Sequence, residues 1–76
     1  MTAKQELALN VLARLLKKDA AAIKPEDELA ADLGIDSPKA LQLLMELEQQ
    51  FQIEISGADA AHMHTVQDIL AYVEKN

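Results

Sequence analysis

The sequence predicts an all-α fold, a small four-helix bundle with three longer helices and one short helix. Leucine, isoleucine and valine recur at spacings of three and four residues in three separate stretches. A serine or threonine of the kind that caps a helix N-terminus stands in front of each stretch. Residues 52–55 alternate polar and apolar side chains, but no second segment is suited to pair with them as a sheet.

Length and composition set the first limits on function. Seventy-six residues suit a single domain, 1–76. The absence of cysteine excludes disulfides, thiolate metal sites and cysteine nucleophiles. Two aromatic residues and a net charge of −6 argue against nucleic acid as a partner. The sequence has neither a membrane-length apolar segment nor the layout of a secretion signal, which predicts a cytoplasmic protein without membrane insertion.

The charge is unevenly distributed along the chain. Residues 1–18 carry four cations and one acid, whereas residues 19–76 carry three lysines and twelve acids. Five of those acids fall between Glu26 and Asp36, a segment without a base. A cluster of acidic residues produces a negative electrostatic potential that attracts basic partners over long distances. An acidic surface that only keeps the protein soluble would have the same composition.

The first helix is predicted from Ala3 to Lys17, because Thr2 and Gln5 form a capping-box pattern in front of its apolar residues. A long loop follows, punctuated by Pro25 and Gly34. Loops of this length in small domains pack their own side chains or carry function. Its expected anchors are Ile23, Leu29, Leu33 and Ile35.

The second helix begins at Asp36-Ser37-Pro38. Proline suits the first helical position, which makes Ser37 the predicted N-cap and places Asp36 just outside the helix. The predicted core face of this helix consists of Ala40, Leu43, Leu44, Leu47 and Phe51. Leu41 and Met45 lie on a neighbouring face, beside Glu48, that is expected to stay partly open.

Two shorter elements complete the chain. Gln52 to Ile55 is expected to be an extended connector. Ser56 and Thr65 each have an acid three residues later, as in a capping box, and predict the starts of a short helix and of the last helix. The predicted inward face of the last helix is Val66, Ile69, Leu70 and Val73.

The residues that an enzyme would need do not form a recognisable pattern. His62 and His64 are two residues apart, but no thiolate or carboxylate cluster completes a metal ligand set. No serine or threonine stands in a nucleophile motif of hydrolases, and neither glycine belongs to a phosphate-binding loop. We therefore expect no metal and no catalysis by this chain alone.

Ser37 admits two interpretations. Serine is among the best N-caps, and many capping serines do nothing else. However, Ser37 has Ala40 three residues later, where the other predicted caps have an acid or a glutamine. A phosphodiester would also be tolerated at a helix N-terminus, where free N–H groups and the positive end of the dipole favour an anion.

The stretch "DLGIDSPKALQLLMELEQQFQIEI" resembles the signature of acyl carrier proteins, and "TVQDILAYVEKN" is similar to that family's last helix. The resemblance implies that Ser37 carries 4′-phosphopantetheine, attached from coenzyme A by a magnesium-dependent phosphopantetheinyl transferase. It further implies that Asp36 belongs to the motif that this transferase recognises. The protein would then be a monomeric, non-catalytic carrier of acyl thioesters in fatty-acid, lipid or polyketide-type biosynthesis, with Ser37 both capping the helix and holding the arm.

The resemblance also predicts two surfaces. Acyl groups would fold back among Ala40, Leu44, Leu47 and Met63. Acyl-transfer and acyl-modifying enzymes with basic patches would dock on Lys39, Leu41, Met45, Glu46 and Glu48.

The chain departs from the family pattern at two places. Pro38 stands where the family usually has leucine, and Lys39, Gln42, Gln49 and Gln50 stand where acids are common. These departures predict a specialised carrier with its own partners, for a lipid, a polyketide-like product or an aminoacyl conjugate. The alternative is an unmodified helical interaction module that binds partners through Leu41 and Met45. A freestanding hydrolase is disfavoured, because no base stands near a nucleophile.

Overall fold

The computed structural model describes residues 1–75 and contains four α-helices. They are α1 (Ala3–Leu16), α2 (Ser37–Phe51), α3 (Gly57–Ala61) and α4 (Val66–Lys75), with a 3-10 turn at Ala20–Ala22. Within residues 1–75 there is no strand, only an isolated antiparallel bridge between Glu28 and Thr65. The predicted all-α fold with three longer helices and one short helix is confirmed.

The first helix begins as the sequence predicts. The backbone N–H of Gln5 donates to Thr2 Oγ1 at 3.2 Å, and the N–H of Thr2 donates to Gln5 Oε1 at 3.2 Å, which completes the capping box. The helix ends at Leu16, one residue earlier than predicted. Lys17 takes a left-handed conformation (φ 55°) that closes the helix, and its N–H bonds to the carbonyl of Arg14.

The prediction that Ser37 caps α2 is wrong, because the N-cap is Asp36. Its side chain accepts a hydrogen bond from the N–H of Lys39 at 3.0 Å, and Ser37 is the first helical residue. Aspartate caps as well as serine does, so two adjacent candidates compete at this position. Pro38 is tolerated one position further in, since the second N–H of a helix also lacks an intrahelical partner.

One hydrophobic core joins α1, α2 and α4 with the long loop. The four expected loop anchors are all buried, and α4 buries the four residues predicted for its inward face. On α2, Leu43 and Leu47 are buried, whereas Ala40 and Phe51 pack against the core at partial burial. The buried residues are Ala8, Val11, Leu12, Ala13, Ile23, Leu29, Leu33, Ile35, Leu43, Leu47, Val66, Ile69, Leu70 and Val73.

The long loop is bonded to the start of α4. The N–H of Leu29 donates to the carbonyl of His64 at 2.9 Å. In return, the N–H groups of Val66 and Gln67 donate to the carbonyls of Asp27 and Pro25 at 3.0 and 2.8 Å. The first turn of a helix has free N–H groups, and here the loop supplies two of their acceptors.

Asp68 completes the N-terminal cap of α4. Its carboxylate accepts hydrogen bonds from the N–H groups of His64 and Thr65 at 2.9 and 3.0 Å, while its own N–H donates to Thr65 Oγ1. The bonds from His64 and then Thr65 hold the pKa of the Asp68 carboxyl below its ordinary value of 3.8. The predicted cap at Thr65 is confirmed.

The connector and α3 lie mostly at the surface. Ser56 caps α3 by accepting from the N–H of Asp59 at 3.1 Å, as predicted. None of the five residues of α3 is buried. The connector is tied to α2 by the N–H of Ile55, which donates to Glu48 Oε2 at 2.8 Å.

Candidate functional site

A tight turn places Ser37 at the start of α2. Gly34 has a φ of 67°, a left-handed conformation that favours glycine, and its N–H donates to the carbonyl of Ala30 at 3.1 Å. Leu33 and Ile35 on either side of it are buried, and the N–H of Ile35 bonds to the carbonyl of Leu29 at 2.9 Å. Two buried anchors therefore fix the backbone just before the serine.

Ser37 is exposed at the N-terminal end of α2. The hydrogen bond to the N–H of Lys39 is made by the carboxylate of Asp36, not by the serine hydroxyl. Because a neighbour does the capping, the geometry of α2 does not depend on the hydroxyl of Ser37. The positive end of the helix dipole lies beside this oxygen and favours an anionic substituent there.

A cavity of about 210 Å³ is lined in part by residues on either side of this serine in the sequence. Ile35, two residues before Ser37, and Ala40, one helical turn after it, both belong to the wall. The wall is mostly aliphatic, with Glu28 and His64 as its charged or titratable members. The lining residues are Glu28, Leu29, Ala30, Ile35, Ala40, Leu43, Leu44, Ala60, Met63, His64 and Ile69.

Three of the four residues expected around an acyl chain lie in this wall. They are Ala40, Leu44 and Met63. Leu47 lies elsewhere, inside the core at 1% exposure, and is not part of the wall. Leu44 is only half-buried because it borders the cavity, whereas Leu43 contributes to both the wall and the core.

The outer side of α2 presents the expected partner residues, which we call the docking face: Lys39, Leu41, Met45, Glu46 and Glu48. Leu41 and Met45 are 61% and 58% exposed, which is unusual for large apolar side chains. Glu46 and Glu48 are half-buried. The Glu48 carboxylate accepts the hydrogen bond from Ile55 and so ties the connector to α2.

Comparison with known proteins identifies the family. Residues 6–73 match the sequence profile of the family described as "Phosphopantetheine attachment site". The chain belongs to the acyl carrier protein family. It is 46% identical over 66 residues to an acyl carrier protein of Onion yellows phytoplasma, covering 87% of each chain. It is 38% identical over 76 residues to one from Syntrophobacter fumaroxidans, covering the whole of this chain and 94% of that protein.

A solved structure agrees with this assignment. The fold matches a Mycobacterium tuberculosis protein assigned as an acyl carrier protein, with a TM-score of 0.89 and 38% sequence identity. The match covers 96% of this chain and 97% of that structure.

As an acyl carrier protein, the chain bears a covalently attached phosphopantetheine group. That group supplies a thiol, on which an acyl group is held as a thioester. The structure offers residues that fit it. An exposed serine hydroxyl stands where an anion is favoured, and a mostly aliphatic cavity begins one helical turn away.

Membership of the family also implies its general partners, a phosphopantetheinyl transferase and enzymes that handle acyl groups. Acyl carrier proteins are carriers and generally non-catalytic. Among residues 1–75, no helix is both long and apolar enough to cross a membrane. In the same part of the chain, no three acidic or histidine side chains converge as metal ligands, and both His62 and His64 are exposed.

The sequence interpretation missed one side-chain pair close to the site. Tyr72 Oη donates to Asp59 Oδ2 at 2.9 Å and so joins α4 to α3. This hydrogen bond raises the pKa of the Tyr72 hydroxyl above its ordinary value of 10.0, because a phenol that donates to a carboxylate holds its proton more tightly. The two residues are 13 apart, and no periodic pattern in the sequence pairs them.

Proposed function

We propose that Ser37 is the attachment residue, and that the protein presents acyl groups to partner enzymes from this position. The exposure of Ser37 beside the cavity, with Asp36 doing the capping, is the observation that carries the proposal. In the attachment reaction Ser37 Oγ loses its proton and forms a phosphodiester bond, while the adenosine bisphosphate half of coenzyme A leaves. Because the hydroxyl is free of a capping role, its modification leaves the helix N-terminus intact.

Asp36 has a double role in this proposal. Its carboxylate fixes the first turn of α2 through Lys39, and the same exposed side chain belongs to the motif that the transferase recognises. A transferase that recognises Asp36 therefore contacts a side chain whose orientation is already fixed by its hydrogen bond to the helix.

The cavity is the proposed shelter for the acyl chain. Ala40, Leu44 and Met63 supply apolar contacts, and Ser37, the proposed point of attachment, lies between the wall residues Ile35 and Ala40 in the sequence. Burying an apolar chain here is favourable by about 0.8 kcal/mol for each methylene that is fully removed from water.

The docking face is proposed to bind acyl-transfer and acyl-modifying enzymes that carry basic patches. Its two exposed apolar side chains supply contact area, and the acidic charge of the chain steers a basic partner toward it. We further propose that residues 1–76 form one domain that acts as a monomer in the cytoplasm and catalyses no reaction itself.

Pro38 and the reduced acidity of α2 support a specialised carrier. Pro38 is exposed at the second position of α2, so a partner would meet a rigid ring in place of a flexible side chain. Lys39, Gln42, Gln49 and Gln50 are likewise exposed, so the altered charge pattern is at the surface where partners would meet it. Turnover by a housekeeping ketosynthase should be lower with this carrier than with a standard one at equal concentration, and equal turnover would contradict specialisation.

Intact mass spectrometry tests the attachment residue. The protein is incubated with coenzyme A, magnesium and a broad-specificity phosphopantetheinyl transferase, beside Ser37→Ala and Ser56→Ala. The chain has two serines, and both are exposed at helix N-termini, so Ser56 is a matched control. We expect a gain of one phosphopantetheine on the wild type and on Ser56→Ala, and no gain on Ser37→Ala.

The contrary result has a definite meaning. Folded wild-type protein without a mass gain, even with the transferase of its own host, would contradict attachment at Ser37. The exposed Leu41 and Met45 would then favour the second candidate, an unmodified interaction module. A binding partner of that module should be indifferent to Ser37→Ala and sensitive to Leu41→Ala.

A further inference from the structure

One side of the cavity is formed by an element with little burial of its own. Ala60 in α3 and Met63 just after it belong to the wall, together with residues of α2 such as Ala40 and Leu44. None of the residues of α3 is buried, and Ala60 is its one half-buried member. Elements with few buried apolar contacts open at low free-energy cost. We therefore expect α3 to be the part of the cavity wall that moves at the lowest free-energy cost.

The hydrogen bond between Tyr72 and Asp59 holds a residue next to this wall, although neither of the two lines the cavity. Asp59 is the neighbour of Ala60, and Tyr72 belongs to α4, whose residues Val66, Ile69, Leu70 and Val73 are buried in the core. The 2.9 Å bond therefore ties the weakly packed α3 to a firmly packed helix. It is charge-assisted, because the acceptor is a carboxylate, and such bonds are stronger than neutral ones.

We propose that the Asp59–Tyr72 pair determines which acyl chains the carrier shelters. The hydrogen bond fixes the position of α3, which forms one side of the cavity, and so limits the length of the acyl chain that the cavity can hold. This inference rests on the proposed attachment at Ser37, since it concerns the cargo of that same site. Short chains fit with the bond intact. Longer chains need α3 to move away from α2, which breaks the bond.

The cavity volume sets the expected limit. An apolar cavity of about 150 Å³ is known to hold benzene, which corresponds to roughly 25 Å³ for each carbon. On that scale, the cavity of about 210 Å³ accommodates a chain of about eight carbons. Medium-length acyl groups are therefore the class that we expect this carrier to shelter best in the bonded state.

The test compares wild type with Tyr72→Phe, which deletes the hydroxyl and keeps the ring. Each protein is loaded at Ser37 from acyl-coenzyme A donors of four to sixteen carbons, and the mass gain is verified. Thioester cleavage by hydroxylamine then reports how well the cargo is sheltered. In the wild type, protection should rise with length up to about eight carbons and then stop rising. In Tyr72→Phe, it should continue to rise to longer chains.

Two further variants isolate the pair. Asp59→Ala removes the same bond from the other helix and should reproduce the profile of Tyr72→Phe. The double variant should give the same chain-length profile as either single variant, because each change removes the same hydrogen bond. Glu74→Gln is the matched control, an exposed change on α4 at a residue outside the cavity wall, and should keep the wild-type profile.

Hydrogen exchange on the unloaded proteins gives a readout that does not depend on cargo. In Tyr72→Phe, the amides of Ala60 and His62, which bond to the carbonyls of Ser56 and Asp59, should exchange roughly 1.5- to fivefold faster. Amides in the middle of α1 and α2 should exchange at the wild-type rate.

The possible results distinguish a failure of this inference from a failure of the proposed attachment at Ser37. Loaded proteins with identical chain-length profiles would overturn the inference and leave attachment at Ser37 standing. An equal loss of protection at every length in Tyr72→Phe would also overturn it, because that pattern reports general loosening and no change in size. Wild-type protein that gains no mass would overturn both.

Discussion

Asp36 and Ser37 are adjacent residues, but only Asp36 caps α2. The carboxylate of Asp36 supplies the acceptor that the first turn of α2 needs, and the hydroxyl of Ser37 is left exposed. The proposed attachment residue is thus the direct neighbour of the residue whose side chain stabilises the start of the helix. The same separation makes the two side chains distinguishable by measurement.

Asp36→Ala should lower the free energy of unfolding by about 1 kcal/mol, because the N–H of Lys39 loses its side-chain acceptor. Ser37→Ala should change it by less than about 0.5 kcal/mol, since Ser37 is a helical surface residue and alanine suits helices well. Urea unfolding of both variants beside the wild type measures the difference. A larger loss for Ser37→Ala than for Asp36→Ala would contradict the assignment of the cap.

Asp68 should make stability depend on pH in the acid range. Its pKa in the folded protein lies below the ordinary value of 3.8, so the carboxylate's contribution is fully present above about pH 3.8 and is lost as the pH falls through the folded pKa. Asp68→Asn keeps an acceptor oxygen and removes the charge. It should be less stable by about 0.5 to 1 kcal/mol at neutral pH, because a charge-assisted bond becomes a neutral one.

The check is a pair of stability curves against pH. The gap between wild type and Asp68→Asn should be constant at neutral pH and should close below about pH 3.8. A gap that widens on acidification would show that the folded state does not favour the ionised carboxylate.

At the scale of elements, the turn before α2 depends on one residue. Gly34 has a left-handed φ of 67°, yet no atom lies within 4 Å of where its Cβ would be. Gly34→Ala should therefore lower the free energy of unfolding by about 1 kcal/mol through backbone strain alone, without a steric clash. Gly57, which is also open but lacks a positive φ, is the matched control.

Gly57→Ala should be neutral or slightly stabilising, by up to about 1 kcal/mol, because alanine replaces glycine at a helical position. Thermal unfolding of the two variants in the same buffer makes the comparison. Equal losses for both would mean that the conformation of Gly34 is not what fixes the turn.

The sequence predicts the elements well where the signal is local. The spacing of apolar residues predicted the three longer helices, and the capping patterns at Thr2, Ser56 and Thr65 predicted three helix starts correctly, including that of the short helix. At α2 the preference of proline for the first helical position led to the wrong cap, because Pro38 is the second helical residue and Asp36, not Ser37, is the N-cap. Periodicity also could not separate Leu47, which faces the core, from Leu44, which borders the cavity.

Contacts between residues that are distant in the sequence could not be predicted from local sequence patterns. The Asp59–Tyr72 bond joins two helices whose relative position no spacing encodes. The loop anchors could be named as apolar residues, but their backbone partners at the start of α4 could not. Membership of the family was predictable because its motif is a continuous stretch around Ser37, whereas the boundary of the cavity is assembled from four separate segments.

At the scale of the whole molecule, burial decides which leucines are structural. Leu47 is 1% exposed and Leu41 is 61% exposed, although both lie on α2. Leu47→Ala should lower the free energy of unfolding by about 2 to 5 kcal/mol, a large fraction of what a domain of this size possesses. Leu41→Ala should alter it by less than about 0.5 kcal/mol.

Urea unfolding and a binding assay with the transferase together check this pair. Leu41→Ala should weaken transferase binding or slow modification while its unfolding midpoint stays at the wild-type value. A shifted midpoint for Leu41→Ala would place that side chain in the core and contradict its role on the docking face.

The hydrogen bonds between the long loop and α4 mean that the region around Ser37 becomes ordered only after residues 64–67 have been synthesised. The segment that leads into Ser37 relies on the carbonyl of His64 and on the N–H groups of Val66 and Gln67 as partners. A chain truncated before residue 64 still contains Ser37, Asp36 and every helical signal of α2, but it lacks those three partners and the whole of α4. A nascent chain that has emerged only that far therefore contains the proposed attachment residue without these stabilising hydrogen bonds, and we expect a transferase to meet an ordered site only on the completed chain.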